Sequence, residues 1–323
     1  MSVIIPTFSR YNLCIDTIDN VLEQSYNNLE VIVVEDGSKS GVKEYIQSLS
    51  DERIYYYFHR QRKGLAATRN TGTMKANGKY VAFLDDDCRW LPEKIEEQMK
   101  IALKYSNKNI MIVCGTCKIE DGRLVPDVIP DTKGPINKFI YSGVLLPQSC
   151  MMILKKSIID IGGHSEELTS CIDHDIWLKM AYNNFSIDLP EMGLVYYPDH
   201  NNSRMHKDLD QRLLGIVQFF SKWESIVINE FNVKSWDIIK RKYYIQTVLT
   251  IIEKTKSGEI TRDKAQYYFE ELLKIFGCKP NIIDKGLLDF SIIFIISLIY
   301  YTPFKEKYNI LLKNIVKKFL FIK

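Results

Sequence analysis

Three consecutive carboxylates, Asp85, Asp86 and Asp87, close an apolar, β-prone run, Tyr80-Val81-Ala82-Phe83-Leu84. Like charges set side by side repel, and a bound cation is the simplest relief. In α/β sheets, ligands gather at the carboxyl ends of strands. The tip therefore reads as a divalent-metal site whose guest is a diphosphate. The plain alternative is a solvated acidic turn. Asp36 occupies a comparable place, after the apolar run 30–34 and before Gly37-Ser38. Its carboxylate can accept a hydrogen bond from a pyrimidine N–H, and Gly37 permits a sharp turn or a close backbone approach. Taken alone, Asp36-Gly37 is equally an ordinary turn.

The elements that must position these acids follow from periodicity. Residues 2–6, 30–34, 53–58 and 79–84 read as strands, and 12–24, 41–49, 65–76 and 91–104 as helices. Cys14, Ile18, Val21 and Leu22 share one face of the first helix. Strands alternating with helices at this spacing predict βαβ units and a parallel sheet. Beyond residue 110 the pattern is mixed. Residues 110–119, 150–154 and 194–197 read as strands, 173–182 as a helix, and 121–135 and 198–206 as loops. From about residue 208 only helices are expected, over 209–224, 236–256, 262–276 and 287–301. The expected architecture is an α/β domain over 1–206 followed by a helical region over 207–323.

Composition narrows the classes. A chain of 323 residues can bury a full core. Its net charge of +3 is too small to argue for a nucleic-acid partner. Seven cysteines, an odd and scattered set behind an N-terminus with no signal-peptide pattern, lead to the expectation of a cytoplasmic protein with reduced thiols. Cys114 and Cys117 have C-x-x-C spacing, but no second pair completes a zinc site, so core thiols are the expectation. The loop after the first strand, Pro6-Thr7-Phe8-Ser9-Arg10, has no glycine. This argues against a dinucleotide-dependent oxidoreductase and against a nucleotidyltransferase with a Gly-rich triphosphate loop.

Several segments in register resemble the family 2 inverting glycosyltransferases of the GT-A fold. Ser2-Val3-Ile4-Ile5-Pro6-Thr7-Phe8 looks like the family's first strand, and Val33-Val34-Glu35-Asp36-Gly37-Ser38 like its nucleotide-recognition turn. The run from Gly64 through Thr68-Arg69-Asn70 to Gly72 is similar to its glycine-and-arginine segment. Phe83-Leu84-Asp85-Asp86-Asp87 looks like its DxD element, with Leu91-Pro92-Glu93-Lys94 as the usual continuation. The resemblance covers roughly the first 200 residues. It implies that Pro6 and Thr7 line the base pocket, that Asp36 holds uracil and that Arg69 contacts the base and its phosphate neighbourhood. It also implies that Asp85 and Asp86 approach the ribose and sugar, and that Asp87, with Asp85 beside it, ligates Mn²⁺ or Mg²⁺. The donor implied is a UDP-sugar, and the acceptor a glycan or a lipid-linked saccharide.

An inverting transfer needs a base on the acceptor side. The resemblance places it in Cys171-Ile172-Asp173-His174-Asp175-Ile176-Trp177, with Asp173 at the base position and Ile172 where the family usually has Glu. Asp175 and His174 remain competitors, and an acid serving only the helix dipole is the structural alternative. The missing acid keeps open a second class, a sugar-nucleotide-binding protein without turnover. His200, Arg204 and His206 lie in a loop that could add a metal ligand or a diphosphate contact. Processive synthases of the family carry a Gln-x-x-Arg-Trp motif that is absent here, which favours single-sugar transfer. After Pro303, six Lys stand against one Glu on an amphipathic pattern. Residues 287–323 thus read as an interfacial anchor at the inner face of the cell membrane, or as helices packing on the catalytic domain or on a second copy.

Overall fold

The computed structural model describes residues 1–105, 109–130, 133–137, 146–198 and 208–276. His200, Arg204, His206 and the tail 287–323 lie outside them. Four runs rich in β-branched or aromatic residues form parallel strands: β1 (Ser2–Thr7), β2 (Glu30–Asp36), β3 (Ile54–His59) and β4 (Tyr80–Phe83). Between them run α1 (Tyr11–Leu22), α2 (Val42–Leu49) and α3 (Leu65–Lys75). All side chains of β1 and β4 are buried, as expected of central strands covered on both faces.

The chain continues through β5 (Arg89–Trp90), α4 (Lys94–Ala102), β6 (Ile110–Val113), β7 (Gly115–Glu120), β8 (Arg123–Val128) and β9 (Gly134–Pro135). A short 3₁₀ turn (Gln148–Cys150) leads into β10 (Met151–Leu154), α5 (Lys155–Asp160), α6 (Ile172–Tyr182), β11 (Ser186–Asp188) and β12 (Gly193–Tyr196). The large sheet has the order β3-β2-β1-β4-β10-β6-β11-β9, with β10 antiparallel to both neighbours. A four-stranded sheet, β5-β12-β7-β8, lies beside it in the same unit.

Two expectations are corrected. Residues 110–119 are two strands in different sheets, because the chain switches partners at Cys114 and Gly115. The Cys114 N–H still donates to Cys150 O at 3.0 Å, whereas the Gly115 N–H donates to Met192 O at 2.8 Å. A Cβ on Gly115 would stand 2.7 Å from Val128 O, so only glycine fits this crossing. The expected loop 121–135 contains β8, an edge strand antiparallel to β7.

The C-terminal helices are α7 (Leu209–Glu230), α8 (Val233–Lys256) and α9 (Arg262–Ile275). The chain divides into two compact units, Met1–Met205 with Leu214–Ser235, and His206–Leu213 with Trp236–Lys323. Leu214–Ser235 groups with the first unit through Trp223 and Lys222, both bonded to Asp175. The second unit has its own core, in which Tyr244, Val248 and Ile251 pack with Phe269 and Leu272. Among the described residues no helix is long and apolar enough to cross a membrane.

Candidate active site

β1, β2 and β4 are parallel and place Thr7, Asp36 and Asp85 at the same edge of the sheet. Asp36 is 4% exposed. Its Oδ1 accepts the Lys63 N–H and its Oδ2 the Gly64 N–H, each at 2.8 Å. His59 Nδ1 lies 2.8 Å from the same Oδ1, and His59 Nε2 lies 2.9 Å from Thr71 Oγ1 on α3. The carboxylate thus holds the loop that leads into α3. Gly37 turns here at φ +80°, where a Cβ would come 2.5 Å from Arg62 N. Sequence reasoning missed His59. It is the register partner of Asp36 across two parallel strands, a relation invisible without the topology.

Pro6 is buried on β1, opposite Val34. Thr7 Oγ1 donates to Asp86 Oδ2 at 2.9 Å, and Arg10 Nη1 to Asp86 Oδ1 at 2.7 Å. Burial pushes the Asp86 carboxyl up to about 6, against the pull of Arg10 and Thr7. Of the three acids at the tip, Asp86 therefore has both oxygens engaged inside the domain, tying β1 to the end of β4.

Asp85 and Asp87 take the other direction. Their carboxylates and the thiol of Cys88 lie within 4.8 Å of one another, a donor set that fits a divalent cation. Cys88 is fully buried and donates to Asp87 Oδ1 at 3.5 Å. Burial, then Asp85 and Asp87, raises its thiol well above the usual range. Burial and the neighbouring Cys88 likewise raise the Tyr197 hydroxyl. Neither Cys88 nor Tyr197 was singled out from the sequence. A search for donor atoms of any type, rather than for acids, would have found Cys88.

Arg69 joins this tip to the start of α6. It is fully buried, with Nη2 2.6 Å from Asp85 Oδ1 and Nη1 2.8 Å from Asp173 Oδ1. Burial alone would depress its pKa, but Asp85 and Asp173 outweigh burial and keep the guanidinium charged. One planar cation thereby fixes two carboxylates 88 positions apart in sequence, 173 minus 85. The adjoining Asn70 ties α3 to the segment before α6. Its amide donates to His164 O at 2.9 Å, and its oxygen accepts the His164 N–H at 2.8 Å. Burial, with Arg69 and Lys179 nearby, lowers the His164 pKa well below its usual value and keeps the ring neutral.

α6 starts after Cys171, which adopts φ 64°. Ile172 is buried, so Arg69, and no second acid from position 172, stands beside Asp173. The Asp173 side chain is 35% exposed. Asp175 is fully buried and accepts from Trp223 Nε1 at 2.8 Å and from Ser165 Oγ at 2.7 Å. Lys222 Nζ lies 2.9 Å from it and Lys179 Nζ 3.6 Å. His174 packs its ring 6.4 Å from that of Phe219.

The sequence pattern described as "Glycosyl transferase family 2" matches residues 2–162. An Escherichia coli protein, the UDP-Glc:alpha-D-GlcNAc-diphosphoundecaprenol beta-1,3-glucosyltransferase WfgD, is 31% identical over 57% of this chain and 70% of its own. An uncharacterized glycosyltransferase of Rickettsia felis is 34% identical over 56% of this chain, a stretch that makes up 31% of that longer protein. The chain thus spans less than a third of the length of several Rickettsia relatives that it matches. Among solved structures, S. aureus TarS 1-349 with UDP-GlcNAc aligns at TM-score 0.55 and 16% identity, over 85% of this chain and 88% of that one. The mannosyltransferase PcManGT of Pyrobaculum calidifontis, with GDP-Man and Mn²⁺, aligns at TM-score 0.55 and 16% identity, over 93% and 84%. These likenesses carry the fold, which is GT-A, and the match with WfgD and the family pattern carries the membership: the chain belongs to glycosyltransferase family 2.

Proposed function

We propose that this chain transfers one sugar, with inversion, from a UDP-sugar to a glycan or lipid-linked saccharide at the cytoplasmic face of the membrane. The observation that carries the reading is the Arg69 bridge between Asp85 and Asp173. It links the diphosphate end of the site to a half-exposed carboxylate, the two groups a displacement at the anomeric carbon needs. Support for the donor and the lipid acceptor comes from what WfgD is named for, and support for a cation from the Mn²⁺ in PcManGT.

Asp85 and Asp87 would hold the cation. When bound, Mn²⁺ or Mg²⁺ offsets the negative charge that grows on the departing diphosphate. Asp173 would accept the acceptor's hydroxyl proton as that oxygen attacks, and direct displacement inverts the anomer. Arg69 would keep both carboxylates in place through the step. Asp36 and His59 would shape the loop against the base, while Asp86 and Arg10 brace the strand ends behind it. The buried, apolar Ile172 favours a second reading, a binding protein without turnover.

Calorimetry with UDP, in Mn²⁺ and in EDTA, tests the reading on the wild type and on Asp87→Asn. Binding that needs the metal and disappears in the variant is expected. No binding of UDP, GDP or dTDP under either condition would overturn it.

A further inference from the structure

The donor set at the acidic tip contains a member that carboxylate chemistry does not require. Cys88 follows the acids, and its N–H donates to Asp85 O at 3.0 Å, closing a turn that folds the thiol back toward them. Its Sγ lies 3.5 Å from Asp87 Oδ1, within the cluster that also contains Asp85. That separation suits two ligands of one ion. Bonds of about 2.1 Å to oxygen and about 2.3 Å to sulfur, meeting between a right and a tetrahedral angle, span about 3.1–3.6 Å. The turn is anchored from behind. Trp90 Nε1 donates to Ser149 O at 2.8 Å, and Ser149 Oγ lies 3.3 Å from the Asp85 N–H. The thiol is therefore held near the carboxylates by a rigid, fully buried backing.

A cation held by carboxylates and diphosphate oxygens alone meets only hard ligands, which suit Mg²⁺ as well as Mn²⁺. A sulfur ligand changes that balance toward softer ions and away from Mg²⁺. We propose that Cys88 is a third protein ligand of the divalent cation, with Asp85 and Asp87. This makes the centre a mixed oxygen–sulfur site that prefers Mn²⁺, Co²⁺ and Zn²⁺ to Mg²⁺. The sulfur binds as thiolate, and its proton leaves to solvent as the bond to the ion forms. The inference rests on the metal-dependent reading given under Proposed function.

Co²⁺ is the probe, because thiolate bound to it gives a charge-transfer band in the near ultraviolet whether or not the enzyme turns over. The full chain with UDP and Co²⁺ should show this band, and an excess of Mn²⁺ should abolish it. The band should be absent from Cys88→Ser, while Co²⁺ still binds in calorimetry. Zn²⁺ affinity should fall about 10- to 100-fold in that variant, with Mg²⁺ affinity unchanged. Co²⁺ binding that is lost in Asp87→Asn but carries no thiolate band in the wild type would overturn the ligand role and leave the metal site standing. No divalent-cation binding in the wild type would overturn the metal site itself, and the inference with it. The wild-type band and its displacement by Mn²⁺ decide the matter even if Cys88→Ser fails to fold.

Discussion

Two places in this domain carry closely spaced acids, and in each the fold closes one acid inside and leaves its neighbours nearer the surface. At the start of α6, Asp175 is buried among Trp223, Ser165, Lys222 and Lys179, whereas the Asp173 side chain is 35% exposed beside Arg69. At the end of β4, Asp86 is closed by Thr7 and Arg10, whereas Asp85 and Asp87 remain together with Cys88. An acid saturated by internal donors can only hold its neighbours in place. An acid left beside another acid, or beside one arginine at a half-open edge, can serve a ligand. Position in a motif does not separate the two kinds, but hydrogen-bond partners do.

The sharpest test of that division is Asp173→Asn. Removing a general base costs about 10²- to 10⁴-fold in turnover. UDP binding should stay within about twofold, since loss of a single base leaves the binding contacts in place. Calorimetry beside a single-turnover assay separates the two, and turnover at the wild-type rate would remove Asp173 from the role.

Asp175→Ala should show the opposite signature. Truncation strands Lys222, Lys179 and the Trp223 indole around an empty place, so unfolding free energy should drop by about 3–5 kcal/mol. Urea denaturation reads this. Wild-type stability in the variant would mean that Asp175 is not the brace its partners indicate.

Strands β1, β2 and β4 were legible because strands covered on both faces read as unbroken apolar runs, and helices with one apolar face separate them. The β6–β7 switch was hidden because Cys114 and Gly115 interrupt no apolar pattern, and the partner change appears only once Met192 is placed. β8 was hidden because its side chains are mostly exposed and it carries Pro126, which an edge strand tolerates. Asp36, Arg69, Asp85, Asp87 and Asp173 could be picked out because they fall in linear motifs. His59 and Trp223 could not, since each acquires its meaning from a partner supplied by strand register or by a distant helix, whereas Cys88 adjoins the acids and is legible only when sulfur is counted among the donors.

His59→Phe probes the saturated side more gently. The change removes one bond to Asp36 and one to Thr71, two of several that hold the loop before α3. Stability should fall by about 1–2 kcal/mol, and UDP affinity by less than about tenfold. A loss of UDP affinity as large as that of Asp36→Ala would instead place the imidazole against the base.

Lys94 marks the limit of the comparison, because it is a buried charge with no saturating partner. It is fully buried, its Nζ has no hydrogen-bond partner among the described residues, and the ammonium lies 3.5 Å from the centroid of the Trp90 ring. Burial lowers its pKa to about 8, from an ordinary value of 10.5. Between those two values the unfolded chain binds a proton that the folded chain does not, so stability rises with pH across that window. Below it the folded protein carries the full cost of the buried charge, of which contact with the indole face recovers a part. Lys94→Met retains the length and removes the charge. It should raise stability by about 1 kcal/mol at pH 7, and the advantage should be lost between about pH 8 and pH 10 as the wild type sheds its cost. Thermal unfolding of both proteins from pH 7 to 10 gives the comparison directly. A destabilised Lys94→Met at pH 7 would mean that the ammonium meets a partner when the protein is in water, and that this charge too belongs with the saturated ones.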